Sequence, residues 1–461
     1  MVIHMLKIEE ILVATNGKLI NGDINVIPQN YIVDSRELNK GDFFVPIVGM
    51  KIDAHDFIID SVRKGIIGFF INKDCNNKKF IINESKKINK DICIIEVNNT
   101  QKALYDSGKY NREKHIDIPI VAVTGSVGKT STREIISSVL KTEKNVLTTI
   151  KNYNSMIGIP IMLLKLDKQE ICVLEAGIDK IGEMEDESNL LKPNVALITN
   201  IGTAHIEAFK SRETIFKEKI QITNHIQSPK ILIINSNDEL LSKVEKNNDI
   251  NIININKDMV SIIEQTDENI RFKTRIYNNE EIVNINEIGI HNVYNAMFAV
   301  KVGEIFNLKK ENIINGISNY KNFSRRLEKI YINGNILLID DTYNASIDSM
   351  RSGLITVNEL KCNRKIAVLG DMFELGEKSE ELHVEVGKLF KDLKYDILYV
   401  LGERAKDIAR NAKEYINNVL EFDKKDELIE KLKNEMRSGD IIFFKASNGM
   451  KFDEIIKGIR R

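Results

Sequence analysis

The chain has 461 residues, of which 43% are hydrophobic and 29% charged, enough for a sizeable core and for about three domains at roughly 150 residues each. Its 66 Lys and Arg against 67 Asp and Glu leave a formal net charge of -1, so no global charge calls for nucleic acid or an anionic membrane as a partner. No apolar run approaches the ~18 residues of a membrane-spanning helix. Met1-Val2-Ile3-His4-Met5 lacks the basic region and apolar core of an export signal, and Met5 is a second candidate start. Cys75, Cys93, Cys172 and Cys362 are scattered without metal or disulfide spacing, which fits a reducing cytoplasm.

Residues 1 to about 116 read as a small α/β unit. Its first distinctive cluster is Asp34-Ser35-Arg36, followed by Gly41-Asp42-Phe43-Phe44-Val45-Pro46 and then by Gly49, Asp53, His55 and Phe57. Short polar side chains beside an arginine can hold a phosphate or a uracil edge, although Ser-Arg is also a common solvated turn. Helical spacing resumes at 100–112, and Asp117-Ile118-Pro119 reads as a linker, since proline excludes continued helix.

The apolar run Ile118-Pro119-Ile120-Val121-Ala122-Val123 leads into Thr124-Gly125-Ser126-Val127-Gly128-Lys129-Thr130-Ser131-Thr132, and a helical segment follows at 133–140. Strand, glycine loop, Lys-Thr and helix is the arrangement that cradles nucleotide phosphates. Gly125, Ser126, Val127, Gly128 and Ser131 supply backbone N–H groups at a helix N-terminus, Lys129 brings a point charge, and the Thr130 hydroxyl can reach Mg2+. The usual G-x-x-x-x-G-K-[ST] spacing would put glycine at Val123; the glycine here is Gly125, so the loop is a shortened variant.

From 117 to about 322 the pattern alternates strand and helix, which predicts a parallel sheet. Strands fall at 146–149, 171–175, 195–200 and 230–235, and helices at 156–165, 181–191 and 212–226. The stretch 247–288, rich in Asn and β-branched residues, reads as a meander appended to that sheet, before helices at 293–306 and 311–320. From 323 to 461 comes a third unit, with strands at 336–340, 365–369, 397–401 and 441–445 and helices at 346–360, 379–393, 404–415, 425–436 and 451–459. The fold class is therefore α/β in three domains: a small N-terminal α/β domain (1–116), a central P-loop parallel-sheet ATPase domain (117–322) and a C-terminal Rossmann-like domain (323–461).

Several side chains fall where chemistry can sit. Glu175 ends an apolar strand beside the phosphate loop, a place from which a carboxylate holds magnesium directly or through water. His205 lies just past another strand end, where it is equally suited to be a ligand or a satisfied structural histidine. Asn152 and Asn154 follow the strand after the loop and can contact phosphate or substrate, though Asn also simply favours turns. Lys219 is one of several lysines on a helix and by itself reads as solvated. In the third unit an Asp in Asp340-Asp341-Thr342-Tyr343-Asn344 can accept a ribose hydroxyl, and an Arg in Arg325-Arg326-Leu327 can reach a terminal phosphate.

Taken together in chain order, these residues resemble the Mur ligases, ATP-dependent enzymes that add amino acids or peptides in bacterial cell-wall synthesis. The resemblance rests on Thr124–Thr132, Asn152-Tyr153-Asn154, Glu175-Ala176-Gly177 and Ala204-His205-Ile206-Glu207. It continues through Gly289-Ile290-His291-Asn292-Val293-Tyr294-Asn295-Ala296, Arg326-Leu327-Glu328 and Asp340-Asp341-Thr342-Tyr343-Asn344-Ala345. Within the family, Asp341–Met350 and Leu369–Gly376 with His383 are most similar to the branch that adds D-Ala-D-Ala to UDP-N-acetylmuramoyl-tripeptide. Two positions depart from the family pattern: Asn448 stands where a basic residue is usual, and Ile347 at a common proline position.

The resemblance implies ATP and Mg2+ as cofactors, an acyl-phosphate route to an amide, and a cytoplasmic monomer acting on small molecules. It implies phosphate contacts for Lys129 and Thr130 and metal contacts for Thr130, Glu175, His205 and Lys219, the last as a carbamate. Asn292 and Asn295 would lie near adenine, Asp341 at the ribose, Arg326 at the γ-phosphate, and Ser35 and Arg36 at the UDP end. Asn152 and Asn154 would serve the substrate. Two other readings remain open: a relative that adds a single amino acid, and a non-catalytic scaffold that uses the same loop to bind nucleotide.

Overall fold

The computed structural model describes residues 5–245, 249–332 and 335–460. Met1 to His4, whose sequence bears on an export signal, and Asn247, where the expected meander begins, lie outside the described residues. Among the described residues no helix is long and apolar enough to cross a membrane.

The N-terminal sheet has the strand order Lys18–Asn21, Cys93–Val97, Gly68–Asn72, Phe43–Phe44, Tyr31–Ile32, with the first pairing antiparallel and the others parallel. One of its faces packs Phe43, Phe70 and Ile95 against Ile161 and Leu164, which belong to the central unit. The helix Thr100–Lys114 fastens this junction. Arg112, fully buried, donates to the carbonyls of Leu191 (2.8 Å), Lys192 (3.0 Å), His115 (2.8 Å) and Ile118 (2.8 Å). Asn111 donates to the carbonyls of Leu163 (2.7 Å) and Leu166 (3.0 Å), and the helix comes close at Gly108, where a Cβ would meet the Pro160 backbone at 2.7 Å. The predicted linker at 117–119 thus follows a helix already anchored to the central unit.

The central sheet is all parallel, ordered Asn251–Ile255, Ile231–Asn235, Val195–Ile198, Ile120–Thr124, Ile171–Glu175, Val146–Thr148. The chain leaves the middle strand Ile120–Thr124 toward one edge and returns to its other side with Val195–Ile198. That reversal opens a crevice at the C-terminal ends of the strands. The three strands there deliver the glycine loop, Glu175 and the segment leading to His205.

The expected meander divides in two. Asn251–Ile255 is the sixth strand of the parallel sheet, and only Ser261–Gln265, Ile270–Ile276 and Asn279–Ile285 form a separate antiparallel sheet. Ile270–Ile276 alternates buried and exposed residues without a break, the period of a strand with one covered face. The last unit has the order Glu328–Ile332, Ile336–Asp340, Asp440–Lys445, Arg364–Gly370, Ile397–Leu401, Asn418–Phe422, parallel except for the first pair. Asn418–Phe422 is a strand that the sequence pattern missed: it is a partly exposed edge strand and carries no apolar run. A single apolar cluster runs from Ile120 and Leu174 of the central sheet through Leu327 to Leu337 and Leu369 of the last one.

Replacing Arg112 by Met should lower stability by about 3–5 kcal/mol, because several buried carbonyls lose their donor together. Chemical denaturation of the full chain checks this, with the exposed Lys102→Met expected within about 0.5 kcal/mol of wild type. An Arg112→Met midpoint equal to that of Lys102→Met would refute the anchoring role.

Candidate active site

The glycine loop is held from beneath by the end of the neighbouring strand. Val127 N–H donates to Asn200 Oδ1 (2.9 Å), while Asn200 Nδ2 and Thr199 Oγ1 both donate to the Val127 carbonyl (2.8 and 2.6 Å). Gly125 has φ 145 and Gly128 φ 83, and a Cβ at Gly125 would collide with Thr199 Oγ1, so both conformation and space demand glycine there. The helix Lys129–Leu140 then starts with its free N–H groups at the crevice. Lys129 Nζ lies over the loop and donates to the Gly125 carbonyl at 2.9 Å.

Glu175 is buried and surrounded by donors. Its Oε2 accepts from Thr130 Oγ1 (3.0 Å) and from Arg133 (3.3 Å), and its Oε1 accepts from Asn154 Nδ2 (2.8 Å). Burial pushes this carboxyl up, but the charges of Lys129, Arg133 and Arg326 outweigh it and hold the group below the ordinary range. Arg326 arrives from the segment that opens the third unit: its guanidinium donates to Thr130 Oγ1 at 3.0 Å and lies 4.2 Å from the ring centre of Tyr343. Two residues with left-handed backbone, Arg325 (φ 64) and Leu327 (φ 52), bracket it.

Lys219 projects from the helix Arg212–Ile220 into the same cleft and is buried, with no hydrogen bond or ion pair to its ammonium among the described residues. Burial, reinforced by the charge of Lys129, pulls its amine down to about 7, against the attraction of Glu187, Asp179 and Glu175. Burial likewise lowers Lys129, helped by Arg326 and opposed by Glu175. His205 sits at the cleft mouth, its Nδ1 2.6 Å from Glu374 Oε2 and 3.5 Å from Asp179 Oδ1.

Beside the helix that follows the loop, Asn292 and Asn295 share a hydrogen bond of 3.1 Å near the start of the helix Ile290–Ile305, and Asn295 Oδ1 accepts from Thr132 at 3.0 Å. The carboxylate of Asp341 accepts from Lys445 Nζ at 2.5 Å; burial pushes its carboxyl up and Lys445 opposes the shift.

The cleft has a volume of ≈ 550 Å³, and Gly125 to Ser131, Asn152, Asn154, Glu175, His205, Lys219, Asn292, Asn295, Arg326 and Asp341 all line it. Ser35 and Arg36 stand apart on the N-terminal unit. Arg36 is largely exposed and forks onto Asp34, with its Nε 2.9 Å from Oδ1 and its Nη2 2.6 Å from Oδ2. Glu37, next in the chain, pairs with Lys151 at 2.5 Å, which ties this loop to the segment just before Asn152. Sequence reasoning missed Arg133, Glu374 and Lys445. Arg133 could have been found one helical turn after Lys129, on the same face; the other two are brought in only by tertiary packing.

The chain is similar to known proteins in sequence and in fold. Residues 123–303 match the Mur ligase middle domain, and residues 325–448 match the Mur ligase glutamate ligase domain. The chain is 31% identical over 432 residues to the UDP-N-acetylmuramoyl-tripeptide–D-alanyl-D-alanine ligase of Bacillus subtilis, with 92% of each chain covered. The chain belongs to the Mur ligase family. Among solved Mur ligases, it superposes on a crystal structure of MurF from Acinetobacter baumannii with a TM-score of 0.88 and 26% identity, over 100% of both chains. A MurF ligase from Thermotoga maritima in complex with ADP matches with a TM-score of 0.79 and 25% identity, over 94% of this chain and 97% of that one.

An amine that titrates at about 7 is mostly neutral at pH 8, whereas an ordinary exposed lysine is still an ammonium there. Competitive labelling with acetic anhydride across pH should therefore give Lys219 a reactivity midpoint near 7, well below the ~10.4 of an ordinary exposed lysine. Co-titration of Lys219 with the exposed lysines would contradict the electrostatics described.

Proposed function

We propose that the protein is an ATP-dependent ligase that joins D-Ala-D-Ala to UDP-N-acetylmuramoyl-tripeptide in the making of peptidoglycan precursors. The observation that carries this reading is the meeting of Lys129, Thr130, Glu175, His205, Lys219 and Arg326 in one cleft, with Arg326 supplied by the segment that opens the third unit. A scaffold that only binds nucleotide needs the loop; it has no use for a buried lysine without a counter-ion or for an arginine carried across a domain junction.

The division of labour follows the three units. Residues 1–116 hold the UDP end through Ser35 and Arg36, 117–322 bind ATP, and 323–461 close over it, with Asn152 and Asn154 toward the substrate. Asn292 and Asn295 lie at the adenine and Asp341 at the ribose. A carboxylate is a poor electrophile because its charge repels a nucleophile. Its oxygen attacks the γ-phosphorus, ADP leaves, and the acyl carbon gains a leaving group. The dipeptide amine then attacks that carbon and loses a proton, and phosphate departs.

Lys129 and the loop N–H groups hold the phosphates, and Arg326 meets the transferring group. The donor set suits Mg2+, a hard cation that takes one or two carboxylates plus substrate oxygens. Thr130 would hold one such ion, with Glu175 and His205 supplying further metal contacts, and the carbamate of Lys219 would hold a second; when bound, the ions would neutralise phosphate charge. Lys219 reaches that form when its neutral amine adds to carbon dioxide and releases a proton. The same reading makes the protein a cytoplasmic monomer whose partners are small molecules.

Incubation with UDP-N-acetylmuramoyl-tripeptide, ATP and D-Ala-D-Ala should release phosphate, and single amino acids in place of the dipeptide should not. Release with a single amino acid alone would favour a different Mur-type ligase, and no release would leave a binding module. Lys129→Ala should abolish ligation while UDP-tripeptide binding persists, and Arg36→Ala should do the reverse, weakening the UDP substrate about tenfold, roughly the loss of one charged hydrogen bond. An unchanged affinity in Arg36→Ala would remove that residue from the site.

Lys219→Ala should lose nearly all activity and regain part of it with small carboxylic acids, and Lys219→Arg should do no better than Ala, since a guanidinium cannot become an oxygen ligand. Lys217→Ala serves as the control and should match wild type. Wild-type rates for both lysine variants would dispose of the carbamate.

A further inference from the structure

One contact between the second and third units has no part in the scheme above. His205 lies beyond the strand Val195–Ile198, and Glu374 beyond the strand Arg364–Gly370, yet His205 Nδ1 and Glu374 Oε2 are 2.6 Å apart. The Glu374 side chain is 60% exposed, and ion pairs in water contribute only about 0–1 kcal/mol, so stability is not what this contact supplies.

The backbone points to a different use. His205 has φ 59 and Glu374 φ 62, left-handed conformations that cost ~1 kcal/mol or more in residues with a Cβ. Two such residues face each other across a single junction. The surroundings hold both in place. Glu207 N–H donates to the Glu374 carbonyl (3.3 Å), Thr203 donates to Asp348 Oδ2 from its N–H (2.7 Å) and its hydroxyl (2.9 Å), and a Cβ on Gly376 would meet the Glu207 side chain at 2.9 Å. The units are therefore docked by backbone and by Asp348, and the Glu374 carboxylate is left to act on the ring.

A carboxylate can only accept a hydrogen bond, so a ring nitrogen at this distance carries the proton. With the proton fixed on Nδ1, Nε2 is the nitrogen left for the cleft, and a carboxylate on one ring nitrogen sets both tautomer and ring orientation. Asp179, on the same unit as the histidine and 3.5 Å away, is too distant to do this.

We propose that Glu374 is a positioning residue for His205: its carboxylate, brought by the third unit, holds Nδ1–H and so presents Nε2 to the cleft only while the two units are docked. The inference rests on the assignment of His205 to the reaction proposed above.

Nitrogen-15 NMR of the full-length, histidine-labelled protein reads the tautomer directly, with the His205 signals identified by their loss in His205→Gln. Wild type should show Nδ1–H. Glu374→Asn keeps a residue that tolerates positive φ but cannot place a carboxylate on the ring. It should shift the ring to Nε2–H and lower kcat about 10- to 100-fold, with KM for the UDP substrate unchanged. Glu374→Gln, which keeps an acceptor of the same reach, should restore Nδ1–H and most of the rate, and Asp179→Asn should leave the tautomer as in wild type. Persistence of Nδ1–H in Glu374→Asn overturns the proposal whatever the activity. A fully active His205→Gln alongside a tautomer that follows Glu374 overturns instead the role of His205 in the reaction.

Discussion

A carboxylate taken out of water must be matched by charge and hydrogen bonds or it costs several kcal/mol. Glu175, buried at the end of a central strand, meets that demand by drawing on separate parts of the chain: Thr130 and Arg133 from the helix after the glycine loop, Asn154 from the loop after the adjacent strand, and the field of Lys129 and Arg326. Each partner is fixed in turn. The helix that carries Lys129 cannot rotate without losing Thr130 and Arg133 from the carboxylate, and Asn154 holds its loop against the same point. Lys129 and the glycine loop are therefore already oriented by an internal anion, the kind of preorganisation that makes charges effective in a cleft.

The same anion reaches the third unit through Thr130. Arg326 donates to Thr130 Oγ1, and the backbone around Arg326 is shaped to allow this, with Arg325 and Leu327 both left-handed. Asn322 ties the segment down, its amide donating both to Glu287 Oε2 (2.9 Å) and to the Arg326 carbonyl. The Arg325 guanidinium bonds Thr342 within the third unit, so the strained segment is gripped at both ends. The position of Arg326 at Thr130 is therefore set by the way the third unit sits on the second. The contact between the two units and the placement of the arginine thus go together, an arrangement that suits a reaction whose charged transition state has to be closed off from water.

Much of this was legible in the chain. The parallel strands read as apolar runs because both their faces are covered, and the glycine loop, Glu175 and His205 could be placed because ligand groups collect at strand ends. The failures were also physical. Asn418–Phe422 is an edge strand with partly exposed residues, so it lacks the run that marks a buried strand, and Asn251–Ile255 was masked by its asparagines. The burial of Lys219 had no local sign: on the helix Arg212–Ile220 both Glu218 and Lys219 are buried, so polarity does not mark the solvent face. Glu374 meets His205 only because the third unit docks on the second, and Lys445 meets Asp341 only because their strands are neighbours in the last sheet; no spacing within either segment encodes that.

The charges around Lys219 explain why a lysine there is not simply another phosphate-binding cation. Lys129, Arg133 and Arg326 already supply fixed positive charge, and a further buried ammonium beside Lys129 is opposed by both desolvation and repulsion, hence an amine at about 7. Glu187, on the facing helix Glu183–Leu191, does not cancel this. Its two carboxyl oxygens find no hydrogen-bond partner among the described residues, and burial, with Glu183 nearby, pushes the group well above the carboxylate range, toward the neutral acid. The pocket therefore opposes a positive charge at Lys219 more strongly than the attraction of Asp179 and Glu175 favours it. An amine in that setting is nucleophilic at neutral pH, and the surrounding cations favour an anion in its place. Burial does most to remove the proton from Lys219, and the repulsion from Lys129 that adds to it belongs to the same positive field that would stabilise a carbamate there.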